Sequence, residues 1–152
     1  MRRGRSAALN MVITETGAGK AVGQVLPELK GKLTANAVRV PTPNVSLAII
    51  NLRFAKDITL EELNDFLRQK AFHSDLKEQI GFTNSPEVVS TDFVGDRHAG
   101  IIDSAATIVN GNKCVLYVWY DNEFGYTAQL LGLAKEMVGL TYQRYPNFSE
   151  ST

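Results

Sequence analysis

Residues 114–120 place seven apolar side chains in succession, inside the stretch KCVLYVWYDNEFGY. At a period of two, Cys114, Leu116 and Val118 fall on one face of a strand, and Val115, Tyr117 and Trp119 on the other. A strand that is apolar on both faces belongs in a sheet covered on both sides. The stretch 45–54, VSLAIINLRF, is nearly as two-sided. Helices of moderate length are too few to cover both faces of a sheet with four or more strands. The remaining cover is therefore expected from another subunit or from a further domain. Directly after the apolar run come Asp121, Asn122 and Glu123, with no Pro or Ser between them, and then an aromatic helix start. A solvated loop is one reading. A strand that delivers a polar cluster to the mouth of a site is the other.

The remaining elements follow from patterning. The stretch 17–29, GAGKAVGQVLPEL, has Ala, Val and Leu at helical spacing, with Thr16 or Gly17 as its cap. Strands are expected over 36–40 and 45–54, separated by the Pro-rich PTPN. Residues 57–72 read as a helix: Thr59 and Glu62 stand in capping-box register, and Leu60, Leu63, Phe66 and Leu67 share a face. EVV at 87–89 and the segment 99–110 read as further strands, and Asn110-Gly111 marks a tight hairpin into the apolar run. Helix returns over 123–139. The predicted class is α+β, with a mostly antiparallel mixed sheet and helices on one face.

At 152 residues the chain has the length of one domain. Sixteen acidic and sixteen basic residues balance, so no global field recruits nucleic acid or an anionic membrane. The arginine cluster in the opening MRRGR reads as a solvated end. No apolar run approaches the ~20 residues of a membrane span, and no signal-peptide pattern is present. The single Cys114 excludes an internal disulfide framework and fits a reducing, cytoplasmic setting. One Cys and two His offer no structural zinc spacing.

Individual motifs are more informative. GAGK fails as a phosphate-loop motif, because Thr14 and Ala21 stand where Gly and Ser or Thr are needed. It fails as a dinucleotide fingerprint because Val22 stands where a Gly is required. A Thr-Gly pair opening a helix still presents N–H groups and a hydroxyl to an anion, the alternative being a cap with no ligand. Arg39, on a strand that reads as buried, needs a carboxylate or a phosphate. His73 ends the amphipathic helix, where a cationic cap explains it. His98 has no Ser or Cys nucleophile nearby in sequence. Cys114 reads as core, with a thiol raised in pKa and shielded.

Taken together, RRGRSAALNMVITETGAGKAVGQVLPELKGKLTANAVRVPTPNVS and WYDNEFGY resemble the glyceraldehyde-3-phosphate dehydrogenase family. STDF at 90–93 and IID at 101–103 fit the same family, and the likeness runs to about residue 139. Erythrose-4-phosphate dehydrogenases are close relatives, but TGAGKAVG is more similar to the glyceraldehyde-phosphate branch. The family enzyme has an N-terminal NAD-binding Rossmann domain. Its catalytic domain opens with a Ser-Cys-Thr-Thr-Asn nucleophile segment and later supplies a catalytic His. Neither the Rossmann fingerprint nor that segment occurs here. The resemblance thus implies the C-terminal part of a catalytic domain.

Residue by residue, the resemblance makes Thr16 and Gly17 part of a substrate or inorganic phosphate site. Arg39 becomes the guanidinium bridging the phosphate positions, and Arg3 a further anion contact. Asn122 is implied to hydrogen-bond the nicotinamide carboxamide, with Tyr126 packed beside the ring. Glu15 departs from the pattern, since many members carry Thr there. An extra carboxylate weakens phosphate binding if it points inward and is neutral if it points out. The implied cofactor is NAD or NADP. The implied partners are an aldose phosphate, inorganic phosphate, the N-terminal domain and like subunits in a tetramer, with neither nucleic acid nor membrane. The implied chemistry is covalent: a Cys thiolate attacks the aldehyde, hydride passes to the cofactor, and phosphate displaces the acyl group. The competing expectation is a non-catalytic phosphate-binding or oligomerisation module.

Overall fold

The computed structural model describes residues 7–140, which divide into two compact units between Pro43 and Asn44. In the first unit, β1 (Val12–Glu15) pairs antiparallel with β2 (Asn36–Arg39), running from Val12 opposite Arg39 to Glu15 opposite Asn36. α1 (Ala18–Val25) lies between them in sequence. This helix is shorter than the 17–29 expected. Leu26 takes an extended conformation (φ −120°, ψ 86°), and Pro27–Leu29 form a separate 3-10 turn. The residue before a proline is pushed out of helical geometry, so Pro27 stops α1 at Val25, four positions short of Leu29. β1 was not anticipated, because the apolar Val12-Ile13 pair is short and runs into the polar TET, and its strand character comes from the β2 ladder.

The second unit is built on a five-stranded sheet. β3 (Ser46–Arg53) pairs along its whole length with β7 (Lys113–Tyr120), antiparallel, with Ser46 opposite Tyr120 and Arg53 opposite Lys113. The strand order is β3-β7-β5-β4, with β6 also against β7. β5 (Gly100–Asp103) and β6 (Ile108–Asn110) share one edge of β7. Trp119 to Val115 is four positions, whereas their partners Ile101 and Ile108 are seven apart, so three residues bulge out between the strands. Their polar groups are buried and satisfied. Ser104 Oγ donates to the Thr83 carbonyl (2.8 Å), Thr107 Oγ1 donates to the Asp103 carbonyl (2.9 Å), and Trp119 Nε1 donates to Asp103 Oδ2 (3.0 Å).

β4 (Ile80–Thr83) pairs parallel with β5, and every other ladder is antiparallel, as expected for this α+β class. β4 escaped the sequence reading because Gly81 interrupts its apolar alternation. The expected strand at 87–89 does not form. Asp92 Oδ2 accepts a hydrogen bond from the Val89 N–H (2.7 Å), turning the chain into a 3-10 segment, Ser90–Phe93. The hairpin into β7 has Gly111 and Asn112 at its centre, with Asn110 and Lys113 as the flanking pair. Gly111 adopts φ 60°, a left-handed conformation suited to glycine at the first turn position.

α2 (Leu60–His73) carries the predicted capping box: the Thr59 hydroxyl accepts from Glu62 N–H (3.1 Å) and Glu62 Oε2 accepts from Thr59 N–H (2.8 Å). Its buried Leu63 packs on Cys114 and Leu116, with Leu67, Ile58, Phe54, Val109 and Val118 around them. The helix face is narrower than expected, since Leu60 and Phe66 are exposed. α2 thus covers the Cys114 face of β7. On the opposite face Phe93 stacks on Trp119 (5.5 Å between centroids), but Leu47, Ile49 and Ile108 are exposed in this single chain. The two-sided apolar pattern therefore translates into one face that α2 covers over Cys114 and Leu116, leaving Ile50 and Leu52 of β3 partly exposed, and one more open face. α3 (Asn122–Met137) follows β7 without a loop.

Candidate functional site

In the first unit, the end of β1 runs directly into α1. Gly17 occupies the cap position, and the Thr16 Oγ1 accepts a hydrogen bond from Ala18 N–H (3.3 Å). The first N–H groups of any helix have no intrahelical acceptor, which leaves this end electropositive. Arg39 lies at the other end of the two-stranded ladder, opposite Val12. Thr16 is four residues beyond Val12, so the two backbones are roughly 13 Å apart along the strand. The expectation that Arg39 sits on a buried strand is corrected: β2 is largely exposed, Arg39 included, and burial therefore does not demand a partner. Glu15 is exposed and, by strand alternation, lies on the face opposite Arg39. Arg3 lies outside the described residues.

In the second unit, Asp121 organises the junction between β7 and α3. Its carboxylate is almost completely buried (3% exposed). Oδ1 accepts from the N–H groups of Glu123 (3.2 Å) and Phe124 (2.9 Å), capping the helix. Oδ2 accepts from the Gly95 N–H (3.0 Å) and from Asn44 Nδ2 (3.0 Å). These bonds, the Gly95 N–H first among them, hold the Asp121 carboxyl below the usual carboxylate range, outweighing the opposing effect of burial. One side chain thereby fixes three separate segments.

The next residue, Asn122, is exposed, and its Oδ1 accepts from Ser46 Oγ (2.7 Å). Tyr126 stands one turn further along, on the same helix face, and is 71% exposed. The two residues expected to meet a nicotinamide are thus brought together on an anchored helix start. Gly125, between them, is buried. A Cβ there would lie 2.6 Å from the His98 carbonyl oxygen, so the loop carrying His98 rests directly on the helix backbone. His98 itself pairs with Asp96 (Nδ1 to Oδ1, 2.7 Å). His73 closes the last turn of α2. Cys114 is buried at 3% exposure, and desolvation pushes its thiol pKa up.

Sequence reasoning named Asn122 and Tyr126 but not the residues that hold them: Asp121 as cap and anchor, Asn44, Ser46 and Gly95. The signal for the cap was present, since Asp precedes an aromatic helix start. The long-range partners carried none. Among the described residues, no group of three or more His, Cys, Asp or Glu could hold a metal ion, and no helix is long and apolar enough to cross a membrane.

The comparisons with known proteins identify first a domain class. Residues 1–122 match the profile described as "Glyceraldehyde 3-phosphate dehydrogenase, C-terminal domain". The chain is 62% identical over 145 residues to a "Glyceraldehyde-3-phosphate dehydrogenase-like protein" of Pseudomonas aeruginosa, covering 95% of this chain and 32% of the relative. It is 50% identical over 133 residues to "Glyceraldehyde-3-phosphate dehydrogenase 2" of Mucor circinelloides, covering 87% and 39%. To the "Glyceraldehyde-3-phosphate dehydrogenase" of Borreliella burgdorferi it is 45% identical over 141 residues, covering 91% and 42%. The chain belongs to the glyceraldehyde-3-phosphate dehydrogenase family, and it spans 32–42% of the length of these relatives.

Proposed function

We propose that the chain supplies the phosphate-binding and nicotinamide-orienting elements of a cytoplasmic, tetrameric glyceraldehyde-3-phosphate dehydrogenase. The enzyme oxidises an aldose phosphate with NAD or NADP and inorganic phosphate, through a cysteine thioester. The chain forms part of its catalytic domain, working with an N-terminal NAD-binding domain and a nucleophile segment supplied outside this chain. The observation that carries the reading is the anchored β7–α3 junction, which presents an amide and a phenol ring from one helix face.

The residues present fit the nicotinamide end of the cofactor. Among the described residues Asn122 Nδ2 makes no hydrogen bond, so it retains donors for a carboxamide, and the exposed Tyr126 ring offers an apolar flank. The adenosine and pyrophosphate end has no match, since the Gly17 region lacks the dinucleotide spacing. When bound, the cofactor supplies the hydride acceptor. Around the phosphate, Thr16 Oγ1 and the first-turn N–H groups of α1 donate hydrogen bonds, while Arg39 and Arg3 contribute guanidinium charge. Glu15 is neutral in this role, because it faces away from Arg39. Cys114 forms no thioester: it is buried with its pKa raised, the reverse of an activated thiol.

Titration of the ¹⁵N-labelled chain with inorganic phosphate tests the reading. The amides of Gly17, Ala18 and Gly19 are expected to shift together, and Arg39→Ala to weaken the response by ~10-fold or more, as for loss of a charge-assisted contact. No shift at these amides with tens of millimolar phosphate overturns the phosphate assignment. The open apolar face bearing Leu47, Ile49 and Ile108 favours a second reading, an oligomerisation module without a cofactor role. A phosphate response with no response of Asn122 to nicotinamide mononucleotide decides for it.

A further inference from the structure

Asn44, Val45 and Ser46 form a three-residue grip on the start of α3. Asn44 Nδ2 donates to Asp121 (3.0 Å), and Ser46 Oγ donates to Asn122 (2.7 Å). Between them Val45 is held at φ 72°. A β-branched residue in the left-handed region is a genuine outlier, sustained only where the surroundings over-determine the backbone, and such positions cluster at functional sites. Here the surroundings are on both sides. Asn44 is tied to the buried Asp121, and Ser46 is the first residue of the eight-residue ladder with β7, directly opposite Tyr120. Val45 turns sharply, and its two neighbours reach two consecutive residues just beyond the end of β7, Asp121 and Asn122.

We infer that Ser46 is a positioning residue that fixes the side-chain amide of Asn122 in one orientation, and with it the orientation of the carboxamide that Asn122 meets. The inference rests on the reading of Asn122 as a nicotinamide contact and adds the residue that makes that contact directional. An exposed asparagine at the first turn of a helix ordinarily samples several rotamers and both amide flips. Ser46 Oγ occupies one lone pair of Oδ1. The second lone pair and the two Nδ2 hydrogens remain. A primary carboxamide is complementary to that edge, since it offers one acceptor and one donor side by side. With the protein amide locked, only one of the ligand's two flipped orientations matches donor to acceptor. The ring attached to that carboxamide is then held in one pose against Tyr126. The strain at Val45 is what places the hydroxyl.

The test uses the ¹⁵N,¹³C-labelled chain, with Ser46→Ala and Ser46→Thr, the second retaining the hydroxyl. Without ligand, wild type and Ser46→Thr are expected to show one sharp, well-dispersed Asn122 side-chain NH₂ pair and a single χ1 rotamer. Ser46→Ala is expected to shift that pair toward free-asparagine values and average χ1, while backbone amides of β3 and α3 stay in place. With nicotinamide mononucleotide as probe, Ser46→Ala should bind about tenfold more weakly, as for one oriented hydrogen bond, and Ser46→Thr within about twofold of wild type. An averaged χ1 in the wild type, or an Asn122 amide unchanged in Ser46→Ala, overturns the inference. The rotamer measurement needs no variant and decides even if Ser46→Ala misfolds. A wild-type chain whose Asn122 is ordered but ignores the nucleotide overturns the cofactor reading instead, and the unliganded comparison still decides the role of Ser46.

Discussion

Asp121 shows how much of the site depends on a single protonation state. Its carboxylate accepts four hydrogen bonds from Gly95, Asn44, Glu123 and Phe124, and its pKa is lowered in the fold. An unfolded Asp titrates near ~3.9. A group whose folded pKa is depressed contributes stability that is present above the unfolded value and lost as pH falls through the folded one. The chain is therefore expected to lose stability as pH drops from about 4 through the acid range. Asp121→Asn should lower the urea midpoint at pH 7 and flatten that acid limb, because an amide NH₂ would face the donors of Gly95 or Asn44. Urea melts of both proteins from neutral to acid pH check this, and parallel acid limbs would place the loss elsewhere. None of this network was legible in the sequence beyond the cap itself. Asn44 and Asp121 are 77 positions apart, and nothing in PTPN signals that its Asn is a donor to the other end of the chain.

At the scale of elements, long periodic segments were readable and short ones were not. β7 and α2 were expected within three residues of where they form, because an unbroken apolar run after a hairpin signal and a capped, fourteen-residue helical period are strong local signals. β1 and β4 are four residues each and owe their geometry to a ladder partner, so local pattern underdetermines them. The valines of EVV satisfy a strand preference that Asp92 overrides with one hydrogen bond. α3 contains an internal contrast that can be measured. A Cβ at Gly125 would meet the His98 carbonyl at 2.6 Å, whereas a Cβ at Gly132 meets nothing within 4 Å. Gly125→Ala is expected to destabilise by roughly 1–3 kcal/mol through overpacking against backbone. Gly132→Ala should stabilise by about 0.5–1 kcal/mol through helix propensity. Chemical denaturation of the two variants gives opposite signs if α3 is seated on the His98 loop, and the same sign if it is not.

For the molecule as a whole, the expected shortage of cover is visible in the exposed side chains. Leu47, Ile49 and Ile108 line the open face of the sheet, and Leu130, Leu131, Leu133, Met137 and Val138 are exposed on α3 and just beyond it. Contiguous apolar patches beyond a few hundred Å² are rare on soluble monomers, and zero formal net charge adds no long-range repulsion. The chain by itself should associate with a concentration dependence that light scattering after size-exclusion resolves. A clean monomer across a hundredfold dilution, with α3 amides protected from hydrogen exchange, would contradict this. β3 adds a different consequence. Among the described residues it has β7 on one side only, so every second residue of its eight turns its backbone N–H and C=O to the other edge, with Arg53 as the single charge on the strand. Unblunted edges of this kind template pairing with whatever strand arrives first. For a polypeptide emerging from the ribosome the matter is one of timing. The segment SLAIINLR must find its lawful neighbour before it meets another nascent copy, which places the constraint on the order of assembly and not on the energy of the finished fold.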